Sequence, residues 1–211
     1  MSEYLFKTER LGIRNWRNID FPEFSQMGQD EEVMKYFPFL LSEKQTMDFM
    51  NRMQVQFEEK GYAYLPVEIL DTQEFIGMIG MSDQKYKINL DQSDEVFSEF
   101  VDIGWRLKTA AWGKGYATEG ARAWMNYGFE KMKLETIYSV APVINIPSQN
   151  VMEKLGFEKI GAFNHPKIEP AHPTRKCALF KKQRSSTNSV VKLKLKSKTT
   201  NGSVDFNFRL T

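Results

Sequence analysis

The sequence predicts an α/β or α+β domain followed by a polar tail, and three observations carry that prediction. Segments of strand-like alternation interleave with segments of helical spacing as far as about residue 181. Hydrophobic residues make up 41% of the 211, enough for one sizeable core. Beyond Lys182 aromatic residues nearly vanish until Phe206, and Ser, Thr, Lys and Asn dominate. The domain is therefore placed at residues 1–183 and the basic tail at 184–211.

Each element has its own signal. Leu11, Ile13 and Trp16 suit a half-buried first strand, and Phe24, Met27, Val33, Met34 and Phe37 recur near helical spacing. Met47, Phe49, Met50, Met53 and Phe57 give a further helix, or the second half of a broken one. Ser42 is its expected cap, with Gln45 completing a capping box and Gly61 as the stop. Tyr62 to Ile69 and Phe75 to Ile79, separated by Asp71-Thr72-Gln73, read as a hairpin. Gln84 to Ser98 is polar and acidic, whereas Phe100 to Leu107 is β-branched and aromatic, as a buried strand requires. A helix over Tyr116–Met132 puts Ala121, Trp124, Met125, Gly128 and Met132 on one face. Thr136–Val140 is a strand, Pro147 and Gly156 bracket a short helix, and Phe157–Phe163 and Cys177–Lys181 are the last domain strands. Val191–Lys196 alternates strictly, but its polar surroundings favour a loosely docked tail.

Composition excludes several functions. With 29 Lys+Arg against 27 Asp+Glu the net charge is +2, so no global field draws the chain to nucleic acid or an acidic membrane. Charges interrupt every apolar run short of a membrane span, and no basic, apolar leader opens the chain. One cysteine, Cys177, permits no internal disulfide, which places the expected home in the cytoplasm. No metal is expected: His165 and His172 stand seven apart in an irregular stretch with no second ligand pair, and are read as lining an acceptor loop. Cys177 is expected to be a packed residue.

The chemistry concentrates in two segments. Trp112-Gly113-Lys114-Gly115-Tyr116-Ala117-Thr118-Glu119 sets two glycines between a strand and an amphipathic helix. Glycines let consecutive amides point inward at the positive end of a helix, an arrangement that holds an anion. The segment lacks the Gly-Lys-Ser/Thr of a Walker loop and the third glycine of the dinucleotide fingerprint, whose place Thr118 takes. A tight turn is the other reading of the same spacing. The second segment, Asn145 to Phe157, opens with residues that also serve as helix caps.

Together, with a helix and a strand between them, the two segments resemble the GNAT acetyltransferases. The loop resembles that family's Gln/Arg-x-x-Gly-x-Gly/Ala pyrophosphate motif, with Trp112 read in place of the usual Gln or Arg; Asn145, Ser148, Leu155, Gly156 and Phe157 resemble its second conserved region. Thr8-Glu9-Arg10-Leu11, the Trp-Gly-x-Gly-Tyr-Ala-Thr-Glu loop and His165-Pro166 are similar to the ribosomal-protein N-terminal (RimJ/RimL-like) subgroup. The resemblance spans about residues 5 to 182.

It implies a mixed, mostly antiparallel twisted sheet in which two parallel strands splay apart and admit acetyl-CoA. The implied cosubstrate-binding residues are Trp105, Arg106 and Leu107 on the open strand edge, the loop from Trp112 through Gly113, Lys114, Gly115, Tyr116 and Ala117 to Thr118, and Asn145 and Asn150. Met152 stands where many relatives carry a tyrosine acid, and methionine donates no proton. The resemblance then implies Ser148 as that acid or, its hydroxyl being a poor acid, as hydrogen-bond donor to the departing sulfur, with a helix cap as its other reading. Asp102, between Val101 and Ile103, is the first candidate base, with a solvent-facing acid as its other reading. Glu119 is the second candidate, and a favourable charge at a helix start its other reading; Glu99 is a third. Phe37, Pro38 and Phe39 are candidates for the acceptor wall, or simply core. The implied acceptor is a primary amine, foremost the α-amine of a protein N-terminus such as that of a ribosomal protein, in a chain free to oligomerise. A non-catalytic CoA-binding module, a small-molecule acetyltransferase and an RNA-contacting basic tail are the competing readings.

Overall fold

The computed structural model describes residues 4–184. The tail, with the possible strand at 191–196, lies outside the described residues. An eight-stranded sheet runs β1 (Phe6–Lys7), β2 (Leu11–Ile13), β3 (Tyr64–Ile69), β4 (Phe75–Asn89), β5 (Val96–Leu107), β6 (Thr136–Pro142), β7 (Glu158–Asn164) and β8 (Lys176–Gln183). Its spatial order is β1-β2-β3-β4-β5-β6-β8-β7. Every neighbouring pair is antiparallel except β5 and β6, which run parallel.

The helices are α1 (Phe21–Gln29), α2 (Glu31–Met34), α3 (Glu43–Lys60), α4 (Tyr116–Glu130) and α5 (Ile146–Lys154). The break between α1 and α2 sits at Asp30, whose carboxylate accepts from the amides of Glu32 and Val33 and so starts a new helix. Ser42 and Gln45 form the capping box of α3, and Gly61 ends it with φ +75°. Trp16, Phe24, Phe49 and Phe75 cluster where α1 and α3 meet the sheet, with ring centroids 4.6 to 6.4 Å apart. Opposite elements are drawn close by small residues: a Cβ on Gly120 of α4 would stand 2.4 Å from Cδ1 of Ile79 in β4.

The polar stretch after residue 83 departs most from a plain reading. There β4 and β5 continue as one long hairpin, paired from Gly77↔Leu107 out to Asn89↔Val96. Ile88, Leu90 and Phe100 pack with Phe163, Cys177 and Leu179 of β7 and β8 in a second, smaller core. Few apolar residues suffice for a strand when all of them reach one partner surface. The first strand is shorter than its alternation suggests: β2 stops at Ile13, and Trp16 is buried beyond it with its indole donating to the Tyr64 carbonyl at 2.9 Å.

Candidate active site

The parallel pair is a fork. The backbones of β5 and β6 meet in register only at Asp102↔Tyr138, and beyond it β6 pairs with β8 on its other side. Two side chains replace the missing ladder at the crotch. Ser139 donates to the Ile103 carbonyl at 2.8 Å, and the Val140 amide donates to Asp102 Oδ1 at 3.1 Å. Past that point the edge of β5 opens into a cleft of about 370 Å³.

The cleft collects residues from both motif segments. Trp105, Arg106 and Leu107 line it from β5; Trp112, Gly113, Gly115, Tyr116, Ala117 and Thr118 from the loop and first turn of α4; Asn145, Ser148 and Asn150 from α5. Lys114 is not on its wall. The Lys114 carbonyl instead accepts from Arg10 at 3.0 Å. Sequence reasoning missed Val33, Tyr36, Ala111, Pro147, Val151 and Lys154, which also line the cleft. Only Lys154 had a usable signal, a cation one turn along the helix from the marked Asn150.

The loop's shape depends on its glycines. Gly113 and Gly115 have φ of +72° and +82°, left-handed values that are costly for residues with a Cβ. Beyond Gly113 the place of a Cβ is open space, so a ligand can approach its backbone. Gly115 caps α4, and the free amides of that first turn carry the positive end of the helix dipole. With Lys154 on the rim, the donor set fits a diphosphate. Trp112, three residues before Gly115, holds the place of the usual Gln or Arg and brings no cation to the loop. The Trp112 indole instead donates to the Leu107 carbonyl at 2.8 Å, tying loop to strand.

Three predicted catalytic groups sit in different surroundings. Ser148 is on the cleft wall; Asn145, not Ser148, caps α5, accepting from the Ser148 amide at 3.1 Å. Met152 is buried in the main core. Glu119 is not on the wall. Its carboxylate accepts from Thr8 Oγ1 at 2.5 Å and from the Arg10 amide and Nε at 2.9 and 2.7 Å. Burial opposes its ionisation, but these bonds outweigh burial and hold its pKa below the usual value, which suits an anchor better than a base. Asp102 is also off the wall, 9% exposed. Burial pushes its carboxyl up to about 7, against hydrogen bonds from Tyr64 (2.6 Å) and Val140. Glu99 lies on the outer hairpin, paired with Lys85 across the strands.

A second cavity, of about 320 Å³, adjoins the cleft and shares Phe37 and Arg106 with it. Phe37, Pro38 and Phe39 line it together with Gln45, Asp48, Phe49 and Arg52 of α3. Neither His165 nor His172 lines either cavity. Each ring instead accepts from a backbone amide two residues on, at 3.2 Å. Cys177 is buried and its thiol is pushed up to about 12 by burial. Among the described residues no cluster of His, Cys, Asp and Glu is placed to hold a metal, and no helix is long and apolar enough to cross a membrane.

The family model described as acetyltransferase (GNAT) domain matches residues 10–158, a span containing the fork, the loop and all of α5. The chain belongs to the GNAT acetyltransferase family. The domain is 34% identical over 158 residues to YnaD, an uncharacterised N-acetyltransferase of Bacillus subtilis (strain 168), across 74% of this chain and 84% of that one. A GNAT-family acetyltransferase structure from Bacillus anthracis superposes with a TM-score of 0.65 at 28% identity, covering 84% of this chain and 96% of the other. At 13% identity the fold is shared with a RimL ribosomal-protein α-N-acetyltransferase in complex with coenzyme A, with a TM-score of 0.65 over 86% of this chain and 98% of that one. This GNAT domain is an acetyl-CoA-dependent N-acetyltransferase.

Proposed function

We propose that this acetyltransferase acts on the α-amine of a polypeptide N-terminus by direct attack in a ternary complex, in the manner of the RimJ/RimL-like subgroup. The observation that carries the acetyl-transfer step is the meeting of the open β5 edge, the glycine loop and the start of α5 in one cleft beside a second, separate cavity. The likeness of the fold to a ribosomal-protein acetyltransferase supports the choice of acceptor.

In this reading the amides of residues 113–118 take the diphosphate, with Lys154 at its rim, and the pantetheine arm lies along Trp105, Arg106 and Leu107 as an added strand. Asn145 and Asn150 flank the arm from α5. Trp112 and the Arg10–Glu119 pair act indirectly, by holding the loop in shape. The acceptor enters from the second cavity, past Phe37, Pro38 and Phe39.

The acceptor's nitrogen attacks the thioester carbonyl carbon; the C–S bond breaks and the acetyl group stays on nitrogen. Ser148 donates a hydrogen bond to the departing sulfur, which gains a proton and leaves as the CoA thiol. The acceptor arrives as an ammonium: the proton it sheds before attack passes through the Tyr64 hydroxyl and water to Asp102, whose pKa near neutrality suits the exchange, and the second proton, shed by the nitrogen after addition, is the one the sulfur takes. The domain spans residues 1–183, the basic sequence of residues 184–211 is not part of it, and the chain works in the cytoplasm.

Calorimetric titration with acetyl-CoA, followed by CoA release with a panel of peptides and small amines, tests this reading. Saturable binding and faster turnover of peptides than of polyamines or antibiotics are expected. Binding without turnover on any amine would favour a regulatory CoA-binding module instead.

A further inference from the structure

Arg106 is a buried charge with nothing to neutralise it. It is 6% exposed. Nη1 meets only the Met34 sulfur, at 3.4 Å, and Nε has no hydrogen-bond partner. The rings of Phe24, Phe37 and Phe49 surround its Cζ at 5.0, 5.0 and 5.6 Å. Among the described residues no carboxylate forms an ion pair with it. Burial lowers its pKa to about 10, so it stays charged at neutral pH.

Removing a guanidinium from water without an anion is costly, and aromatic faces recover only part of that cost. A site that needed only an apolar plug would be served better by methionine or leucine. Arg106 also stands at the junction of the cleft and the second cavity, so both can be reached from its position. A planar guanidinium fork with a vacant Nε–H matches a carboxylate.

The missing anion has to come from a ligand. On the reading of the cleft given above, the cosubstrate's diphosphate is taken at the glycine loop, its 3′-phosphate lies on the nucleoside side of that diphosphate, away from the arm, and its pantetheine arm and thioester carry no charge. The acceptor is the remaining source. The second cavity is biased the same way: Arg52 lines it, while Asp48, its one acid, is held by Lys44 at 2.9 Å.

We propose that the preferred acceptor of this acetyltransferase carries a carboxylate close to its reactive amine, and that Arg106 binds this carboxylate from the second cavity. The inference rests on the acetyl-transfer reading and deepens it. The carboxylate has two possible sources, the acidic side chain of a polypeptide's first residue or the α-carboxylate of a free amino acid.

Matched pairs distinguish them. Initial rates of CoA release are measured for a peptide beginning with Glu against one beginning with Gln, and for free amino acids against their α-amides. The wild type is expected to favour the acid at least about tenfold in kcat/KM in one pair, and that pair identifies the source. Arg106→Gln should erase the preference chiefly by raising KM for the acid, and Arg106→Lys should keep part of it. Calorimetry of the N-acetylated acid and amide with the CoA-bound protein gives the same comparison without turnover. Equal use of acid and amide by the wild type, or a preference that survives in Arg106→Gln, overturns the proposal while acetyl transfer stands. So does an equal fall in kcat for both substrates in Arg106→Gln, which would assign the charge to the thioester oxygen. If acetyl-CoA neither binds nor turns over, the acetyl-transfer reading fails first and takes this inference with it.

Discussion

Two arginines are buried among the described residues, and their surroundings differ completely. Arg14, just after β2, is 2% exposed and fully answered: Asp20 accepts from both Nη atoms at 2.7 Å and Glu68 from Nε at 2.6 Å. Arg106, on β5, is nearly as buried and has only a methionine sulfur and three aromatic faces. The first is a closed polar cluster, complete within the fold. The second is half of an interaction, set where two cavities meet. A charge that packing alone required would have been closed in the same way as Arg14.

The sharpest way to break this comparison is to remove both charges in the same manner. Arg14→Met leaves the Asp20 and Glu68 carboxylates buried without their cation, and should cost about 3 to 5 kcal/mol of stability in denaturant unfolding. Arg106→Met removes an unpaired charge from apolar surroundings and leaves no orphan behind, so stability should hold or rise. A large loss in Arg106→Met would mean that its aromatic contacts carry structural weight, and the contrast would collapse.

The comparison also separates the two sides of the site by how each holds its ligand. The glycine loop offers backbone amides, so substitutions there should act through conformation. Gly115→Val puts a β-branched residue at φ +82° with its Cβ 3.4 Å from Arg10 Nη2. Acetyl-CoA affinity should fall by about a hundredfold, roughly 2.7 kcal/mol. Phe39→Ala, on the exposed rim of the second cavity, should leave that affinity unchanged and raise KM for the acceptor. Parallel losses in both variants would show that the cavities do not work separately.

That division explains what could be read from the sequence. The loop, the start of α5 and the strand between them fall within residues 101–157, and their signals are local: glycines where φ must be positive, a capping asparagine, an alternating strand. The second cavity is assembled from the end of α2, the following loop, α3 and one side chain of β5. Spacing alone does not bring Arg106 next to Phe24 and Phe49, since only sheet order does that. The fold was readable for the same local reasons, down to the Ser42–Gln45 box. The outer β4–β5 hairpin was not, because its apolar residues are few and their partners lie some seventy residues further on. Glu119 was legible as a helix-start charge, but its anchoring of Thr8 and Arg10 was hidden by more than a hundred residues of separation.

Asp102 belongs to neither side, and its titration decides whether the fork is scaffold or catalyst. Its folded pKa, raised from 3.8 to about 7 by burial, means the folded chain binds an extra proton between those values. The stability it contributes is therefore greatest at the acid end of that window and declines as pH rises toward 7. Asp102→Asn should flatten that slope, since its amide can still bond Tyr64 and the Val140 amide without titrating. Acting as a base, Asp102 is useful only when ionised, so kcat/KM in the wild type should climb through about pH 7. In Asp102→Asn the limb near 7 should disappear, with a rate about tenfold lower above it, leaving only the limb of the acceptor's own amine. A flattened stability slope beside an unchanged rate profile would make Asp102 a clamp at the crotch of β5 and β6, and the proton would then have to leave through water alone.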